Sequence, residues 1–396
     1  MITRFLIDGS LCFLQCFASL LVTISGILLV INSSSLDSLV AARYINGIAL
    51  GLVFPLTFVL VGEQCVKGMR GMNAAAIGMC FQLGILLQII YMYIWPPDSS
   101  FDGSQMLGIL SILWGFISFI IAFMLQLESP IFYLARGQEE IAIDVLRRLQ
   151  RPFTITHETY EQLMEHKRYL AENKENTFLQ SALIGLPALV KLSFYRVFVA
   201  ASSCFYTYFA LSYASTIAYS PDAIWTYYIY GILAWIGTMV VTFIVDSKGR
   251  RTPMIVGFFC CSCLCLAIGC IFDDTKNIKN VETMTIVLYL LITYQLFAGI
   301  ATASSFVYLT EAFPLAVKPY FVAIAFIVEM SIHIVVIAIR SEPWRFNVYD
   351  LPEYFYTVGG LSIGFFVIAV TAMPETKKDT LRECLVKFRR LINKQT

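Results

Sequence analysis

The chain has 396 residues, of which 58% are hydrophobic and 14% charged, with a formal net charge of +1. A water-soluble domain carries about 25% charged residues, so this chain has too little polar surface to cover itself in water. The composition excludes a soluble globular protein, and the balanced charge shows no bias toward nucleic acid or another polyelectrolyte.

Apolar segments of about 20 residues, each long enough to cross a bilayer core of ~30 Å as a helix, recur along the chain. They fall near 8–31, 36–61, 74–95, 106–126, 194–219, 223–245, 253–272, 284–309, 320–340 and 353–373. The first is too long for a signal-peptide core and lacks a small-residue cleavage site, so it reads as a retained helix. The fold class is therefore all-α integral membrane, with about ten spans. Residues 127–192 are the one long polar stretch between spans. Within it, Ile141, Ile143, Val145 and Leu149 alternate with charges, which predicts amphipathic helices. The stretch divides the chain into a four-span half (1–126), a linker (127–192), a six-span half (193–373) and a tail (374–396).

Cations mark the sides. Starting the first span from the cytoplasm and alternating, one side holds Arg4, Lys67, Arg70, the cations from Arg136 to Lys191, Lys248, Arg250, Arg251, Lys318 and those from Lys377 to Lys394. The other holds Lys276, Lys279, Arg340 and Arg345. An excess of roughly five to one predicts that both termini and 127–192 face the cytoplasm.

Charged punctuation repeats. Glu63 is followed by Arg70, and Glu311 by Lys318, at the same interval; Glu128 then follows the first pair and Glu375 the second at nearly equal spacing. The two sets are offset by about 248 positions, as in transporters built from parallel repeats. The same offset places the first-half counterpart of the motif DSKGRR (246–251) where the chain starts, and the motif itself is not found there. The second half has two spans before that motif and the first half none, so two N-terminal helices are expected to be absent, a truncated 4+6 arrangement.

On these pieces the chain resembles the sugar porter branch of the major facilitator superfamily, the group of the facilitative glucose transporters. They are ARYINGIALG (42–51), the Glu63–Arg70–Gly71 stretch, FQLGI (81–85), ESPIFYLARGQEEIAIDVLRRL (128–149), DSKGRR, YLTEAFP (308–314) and PETKKDTL (374–381). The family normally has twelve spans, so the resemblance also implies that two are missing. It implies alternating access, with a cytoplasmic gate at Arg70, Glu128, Arg250, Arg251, Glu311 and Glu375, completed by Glu63 and Lys318. Opposite charges at helix ends can bridge in one state and part in the other, which biases the equilibrium between states. The plain alternative is solvated charges snorkelling at an interface.

For the solute, the resemblance implies that Gln82 hydrogen-bonds a sugar hydroxyl, a task for which an amide has both donors and an acceptor. Other family contacts are replaced: the paired Gln falls near Phe209 and Ala210, the eighth-helix Asn near Ala234, the GPxPW stretch on Thr302–Phe306, and the Asn-Trp on Glu329-Met330. Gln82 alone is not expected to hold a hexose, since a site built on hydrogen bonds loses strongly when partners are removed. Phe306, at the end of the stretch that lacks both prolines and the Trp, is counted with Gln82, Glu329 and His333 as a solute-contact candidate. Glu329 lies mid-span, with His333 four positions on along the same helix face. An ionisable pair inside a membrane is a functional candidate, for proton coupling or a cationic solute; its structural alternative is a packed, hydrogen-bonded Glu.

No catalytic residue, cofactor or metal site is expected. There is no nucleophile motif and no phosphate-binding glycine loop, and the Cys run in FFCCSCLCLAIGC (258–270) has no His or carboxylate beside it for zinc. Cys65 and Cys384 are candidates for acylation. The partners are a small solute, with sugar one option, and the lipid bilayer, most simply the plasma membrane. The leading function is a sugar-porter-like transporter or facilitator. The alternatives are a non-transporting membrane sensor or assembly partner that keeps the fold, and an inert truncated isoform.

Overall fold

The structure, a computed structural model, describes residues 11–31, 35–94, 102–151, 153–221, 223–338 and 347–390. Among them there is no strand, and ten helical stretches are long and apolar enough to cross a membrane. The chain forms two compact units, residues 1–65 with 94–175, and residues 66–93 with 176–396. This grouping differs from the division drawn at 127–192, because the span after Arg70 takes its contacts from the second unit.

In the first unit, α1 (Leu11–Ile31) packs on α2 (Leu36–Gln64) and on α4 (Gly103–Met124). Glycine makes the α1–α4 crossing possible. A Cβ at Gly26 would strike the Gly108 carbonyl oxygen, and one at Gly108 would strike that of Gly26. Small residues at a membrane helix crossing let the backbones meet, and dispersion rewards the close approach. The Ser25 hydroxyl donates to the Ala42 carbonyl at 2.9 Å, tying α1 to α2.

Three short helices follow: α5 (Pro130–Ala135), α6 (Glu139–Leu149) and α7 (His157–Glu175). Ser129 caps α5 by accepting the Ile131 N–H, and Pro130 fits the first turn, where its missing N–H costs nothing. In α6, Glu139 and Glu140 open the helix and Arg147 and Arg148 close it, matching its macrodipole. The helices are amphipathic as expected, but the buried stripe of α6 is Ala142, Val145 and Leu146, while Ile141 is exposed. The i, i+3, i+4 spacing selects that face, and Leu134 and Leu163 complete its core.

The second unit contains α3 (Arg70–Ile94, through Tyr93), α8 (Phe178–Ser202), α9 (Phe205–Ala218), α10 (Trp225–Lys248), α11 (Arg251–Asp273), α12 (Val281–Glu311), α13 (Lys318–Ala338), α14 (Leu351–Thr371) and α15 (Leu381–Arg389). The main pairs are α11 with α14, α10 with α12, and α11 with α12. At the α10–α12 crossing a Cβ on Gly237 would strike the Leu296 carbonyl oxygen, and one on Gly299 that of Ala234.

The span expected at 194–219 differs most. The helix begins at Phe178, where Thr177 and Gln180 form a capping box, and breaks at Ser203–Cys204 before resuming. Residues 178–190 carry no charge, but Lys191 and Arg196 interrupt the run and hide its start from hydropathy. The hydroxyls of Ser202 and Ser203 both donate to the Val199 carbonyl at 2.9 Å, so the break satisfies a helix-end acceptor with side chains.

Candidate functional site

Two sets of polar residues stand out, one at helix ends and one within the spans. In the first unit, the Glu63 carboxylate accepts the Ser129 hydroxyl. Glu128 accepts the N–H groups of Leu11 and Cys12, the latter at 3.3 Å, at the start of α1. In the second unit, Glu311 accepts the Thr376 hydroxyl at 2.6 Å, and Glu375 accepts the N–H groups of Arg250 and Arg251 at 3.0 Å each, at the start of α11. Each unit thus has one Glu closed by a hydroxyl and another seated on a helix N-terminus, where unpaired N–H groups and the helix dipole favour an anion. The repeat legible in the charges is a repeat of bonding.

The second unit adds the cations. Arg250 Nη2 lies 3.2 Å from Glu311 Oε1 and 3.1 Å from Asp246 Oδ1, and Arg70 Nη1 lies 3.9 Å from Glu311. Asp246 also accepts the Met72 N–H at 2.8 Å, at the start of α3. Arg70, Arg250 and Glu311 are all buried. Asp246 was missed as a site residue, although it opens the DSKGRR motif. Two glycines permit this density: a Cβ at Gly71 would strike the Asp246 carboxylate, and one at Gly249, where φ is +93°, would strike that of Glu375.

Arg251 behaves differently from the expectation. Its Nε donates to the Ala369 carbonyl at 3.1 Å and its Nη2 to that of Val370, so the side chain covers the C-terminal carbonyls of α14 and meets no carboxylate among the described residues. Lys318 is fully buried at the first position of α13. Cys384 is fully buried on α15, and burial pushes its thiol well up, so acylation there has no access while α15 stays docked. Lys191 Nζ fastens that helix by donating to the Arg390 carbonyl at 2.7 Å and to the Ala372 carbonyl at 2.9 Å.

Within the spans, the second unit brings the expected residues onto neighbouring helices and adds one. Gln82 on α3 is half-buried and makes no hydrogen bond among the described residues. One turn before it, Gly78 lies against the Phe306 ring so closely that a Cβ would run into it. Phe306 in turn lies under the guanidinium of Arg196, 4.9 Å from ring centroid to Cζ. Arg196, from α8, donates Nε to Glu329 Oε2 at 2.9 Å, Nη2 to the same oxygen, and Nη1 to Ser305 Oγ at 2.8 Å. Glu329 is therefore paired with Arg196 and not with His333, which is half-buried on the same helix and makes no hydrogen bond or ion pair to it. Arg196 was missed although it lies inside the span expected at 194–219, where an ionisable side chain is itself a functional signal.

The family description "Sugar (and other) transporter" matches residues 11–388. The chain belongs to this transporter family. It is 24% identical over 388 residues to the probable metabolite transport protein CsbC of Bacillus subtilis, covering 96% of this chain and 80% of that protein. It is 23% identical over 374 residues to facilitated glucose transporter member 2 of Gallus gallus, covering 89% of this chain and 65% of the relative. In structure it is similar to the proton:xylose symporter XylE bound to 6-bromo-6-deoxy-D-glucose, with a TM-score of 0.80 at 19% identity, covering 95% of this chain and 83% of that one. The fold is that of the major facilitator superfamily, and this sugar transporter family member is a multi-pass membrane protein rather than an enzyme.

Proposed function

We propose that this sugar-porter-like protein moves a small hydroxyl-bearing solute by alternating access, with Gln82, Phe306, Glu329 and His333 at the solute and the charged helix ends as the gate. The supporting observation is the chain of contacts in one unit, from the helix of Gln82 through Phe306 to Arg196 and Glu329. It sets an amide, an aromatic wall and a carboxylate on adjacent helices, the mixture that polar-solute sites use. The gate reading covers Glu63, Arg70, Glu128, Arg250, Arg251, Glu311, Lys318 and Glu375, with Asp246 added and Arg251 acting through helix carbonyls. The purified chain in liposomes is expected to show saturable uptake of at least one pentose, hexose or polyol, reduced about tenfold or more by Gln82→Ala, since one lost polar partner is worth ~1–3 kcal/mol. Glucose itself is expected to be a poor solute. Absence of saturable uptake across that panel would favour the non-transporting reading. The same vesicles with and without an inward pH gradient decide proton coupling, for which Glu329 and His333 are the assigned groups.

The cation distribution supports both termini and residues 127–192 facing the cytoplasm, and the plasma membrane is the proposed site of action. Reporter tags at residue 160 and after residue 396 are expected to stay unlabelled in intact cells and to label after permeabilisation. Surface labelling of either would overturn this orientation.

A further inference from the structure

Both Arg196 bonds to Glu329 go to one oxygen. Nε and Nη2 converge on Oε2, Nη1 is held by Ser305, and the guanidinium lies between the rings of Phe306 and Phe326, whose centroids are 4.9 and 4.7 Å from Cζ. Arg196 is 1% exposed. The described residues give Glu329 Oε1 no hydrogen bond, and the Glu329 side chain is 7% exposed. The carboxylate is fixed by one oxygen and leaves the other unbonded.

We propose that Arg196 is a positioning and specificity-determining residue, which pins Oε2 of Glu329 so that Oε1 is presented as a fixed acceptor for a hydroxyl hydrogen of a neutral polyhydroxylated solute. This rests on the reading that Glu329 contacts the solute. A carboxylate accepts and does not donate, so it favours a donor-rich neutral solute and disfavours a carboxylate in its place. The planar guanidinium, held by two aromatic faces and Ser305, fixes the direction of Oε1; a lysine ammonium, a point charge on a flexible stem, would not.

The alternative is a pair that only holds α8 to α13. Removing one partner of a buried ion pair strands the other charge, whereas neutralising both is far better tolerated. The test uses Arg196→Gln, Glu329→Gln, the double variant and Arg196→Lys, purified and reconstituted. D-xylose counterflow is measured with D-glucuronate as the anionic competitor, beside the melting temperature. Arg196→Gln is expected to melt lower and to raise the KM for D-xylose at least tenfold. The double variant is expected to recover the melting temperature but not the KM, and to lose discrimination against D-glucuronate. Arg196→Lys should keep stability better than Arg196→Gln while its KM stays raised. Recovery of both stability and KM in the double variant would reduce the pair to a structural clasp and overturn the proposal. A transport-independent arm labels wild-type protein with a carbodiimide and maps the adduct by mass spectrometry. Modification of Glu329, slowed by D-xylose, is expected; an unmodified Glu329 overturns the presented oxygen even if transport is intact. If Glu329 is modified but no sugar is moved or protects it, the solute-contact reading fails while the exposed-oxygen geometry stands, and the specificity role falls with that reading.

Discussion

Glu311→Ala is expected to be among the most damaging substitutions in the chain, costing about 3–5 kcal/mol of stability. Glu311 is 1% exposed, and it faces Arg250 at 3.2 Å, Arg70 at 3.9 Å and the Thr376 hydroxyl at 2.6 Å. Removing its charge leaves two buried guanidinium groups, of which Arg250 keeps Asp246 at 3.1 Å while Arg70 keeps no ion pair among the described residues. Glu311→Gln keeps an acceptor for Thr376 and should lose less. In detergent-purified protein, the melting temperature is expected to fall in the order wild type, Gln, Ala. In the gate reading, Glu311→Lys also shifts the population toward the state open to the cytoplasm, and Arg250→Glu on that background restores part of the balance, with a coupling of ~1–3 kcal/mol. A Glu311→Lys protein whose cysteine accessibility from each side of the membrane matches wild type would count against the gate.

Gly299→Val is expected to destabilise the second unit by about 1–3 kcal/mol or more, through overpacking rather than charge. The new Cβ would meet the Ala234 carbonyl oxygen, with the Gly237 Cα and the Thr238 N next to it. These are backbone atoms on the facing helix, so no rotamer can relieve the clash, and α10 and α12 must part along their length. Loss of a monodisperse peak on size exclusion, with a depressed melting temperature, is the expected measurement. Gly360→Ala is the control, because nothing lies within 4 Å of a Cβ there; an equal loss in that variant would show that crossing distance is not the cause.

Charges far apart in sequence were legible because each does a job that charge alone announces. Glu128, Glu311 and Glu375 could be read from their repeat spacing before any contact was known, because a charge flanking an apolar span stands out in the sequence. The partner of Arg196 could not. Nothing in the sequence near residue 196 names Glu329, well over a hundred positions away, and the pairing exists only because α8 and α13 pack together. Hydropathy averaging also smears the start of α8, where two cations lie in an apolar run. His333 illustrates the converse error: four-residue spacing puts it on the face of Glu329, but helical neighbours compete with partners from other helices, and here Arg196 wins with two bonds. In α6 the amphipathic character was legible, and the buried face is the one that the i, i+3, i+4 spacing of Ala142, Val145 and Leu146 marks.

The contacts of Glu375 and Arg251 have a mechanical consequence. Glu375, just beyond α14, seats on the first amides of α11, and Arg251, at the start of α11, covers the last carbonyls of α14. Each helix therefore neutralises the terminal partial charge of the other, and the two cross-links lie at the same end. Add the extensive packing between them, and α11 with α14 becomes a stiff two-rod lever, about 34 Å long from the 23 residues of α11. Neither helix can slide past the other without uncoupling both links. Bending in this unit must then be taken up elsewhere, and the break at Ser203–Cys204, where helix hydrogen bonds are already replaced by side-chain ones, is the natural hinge.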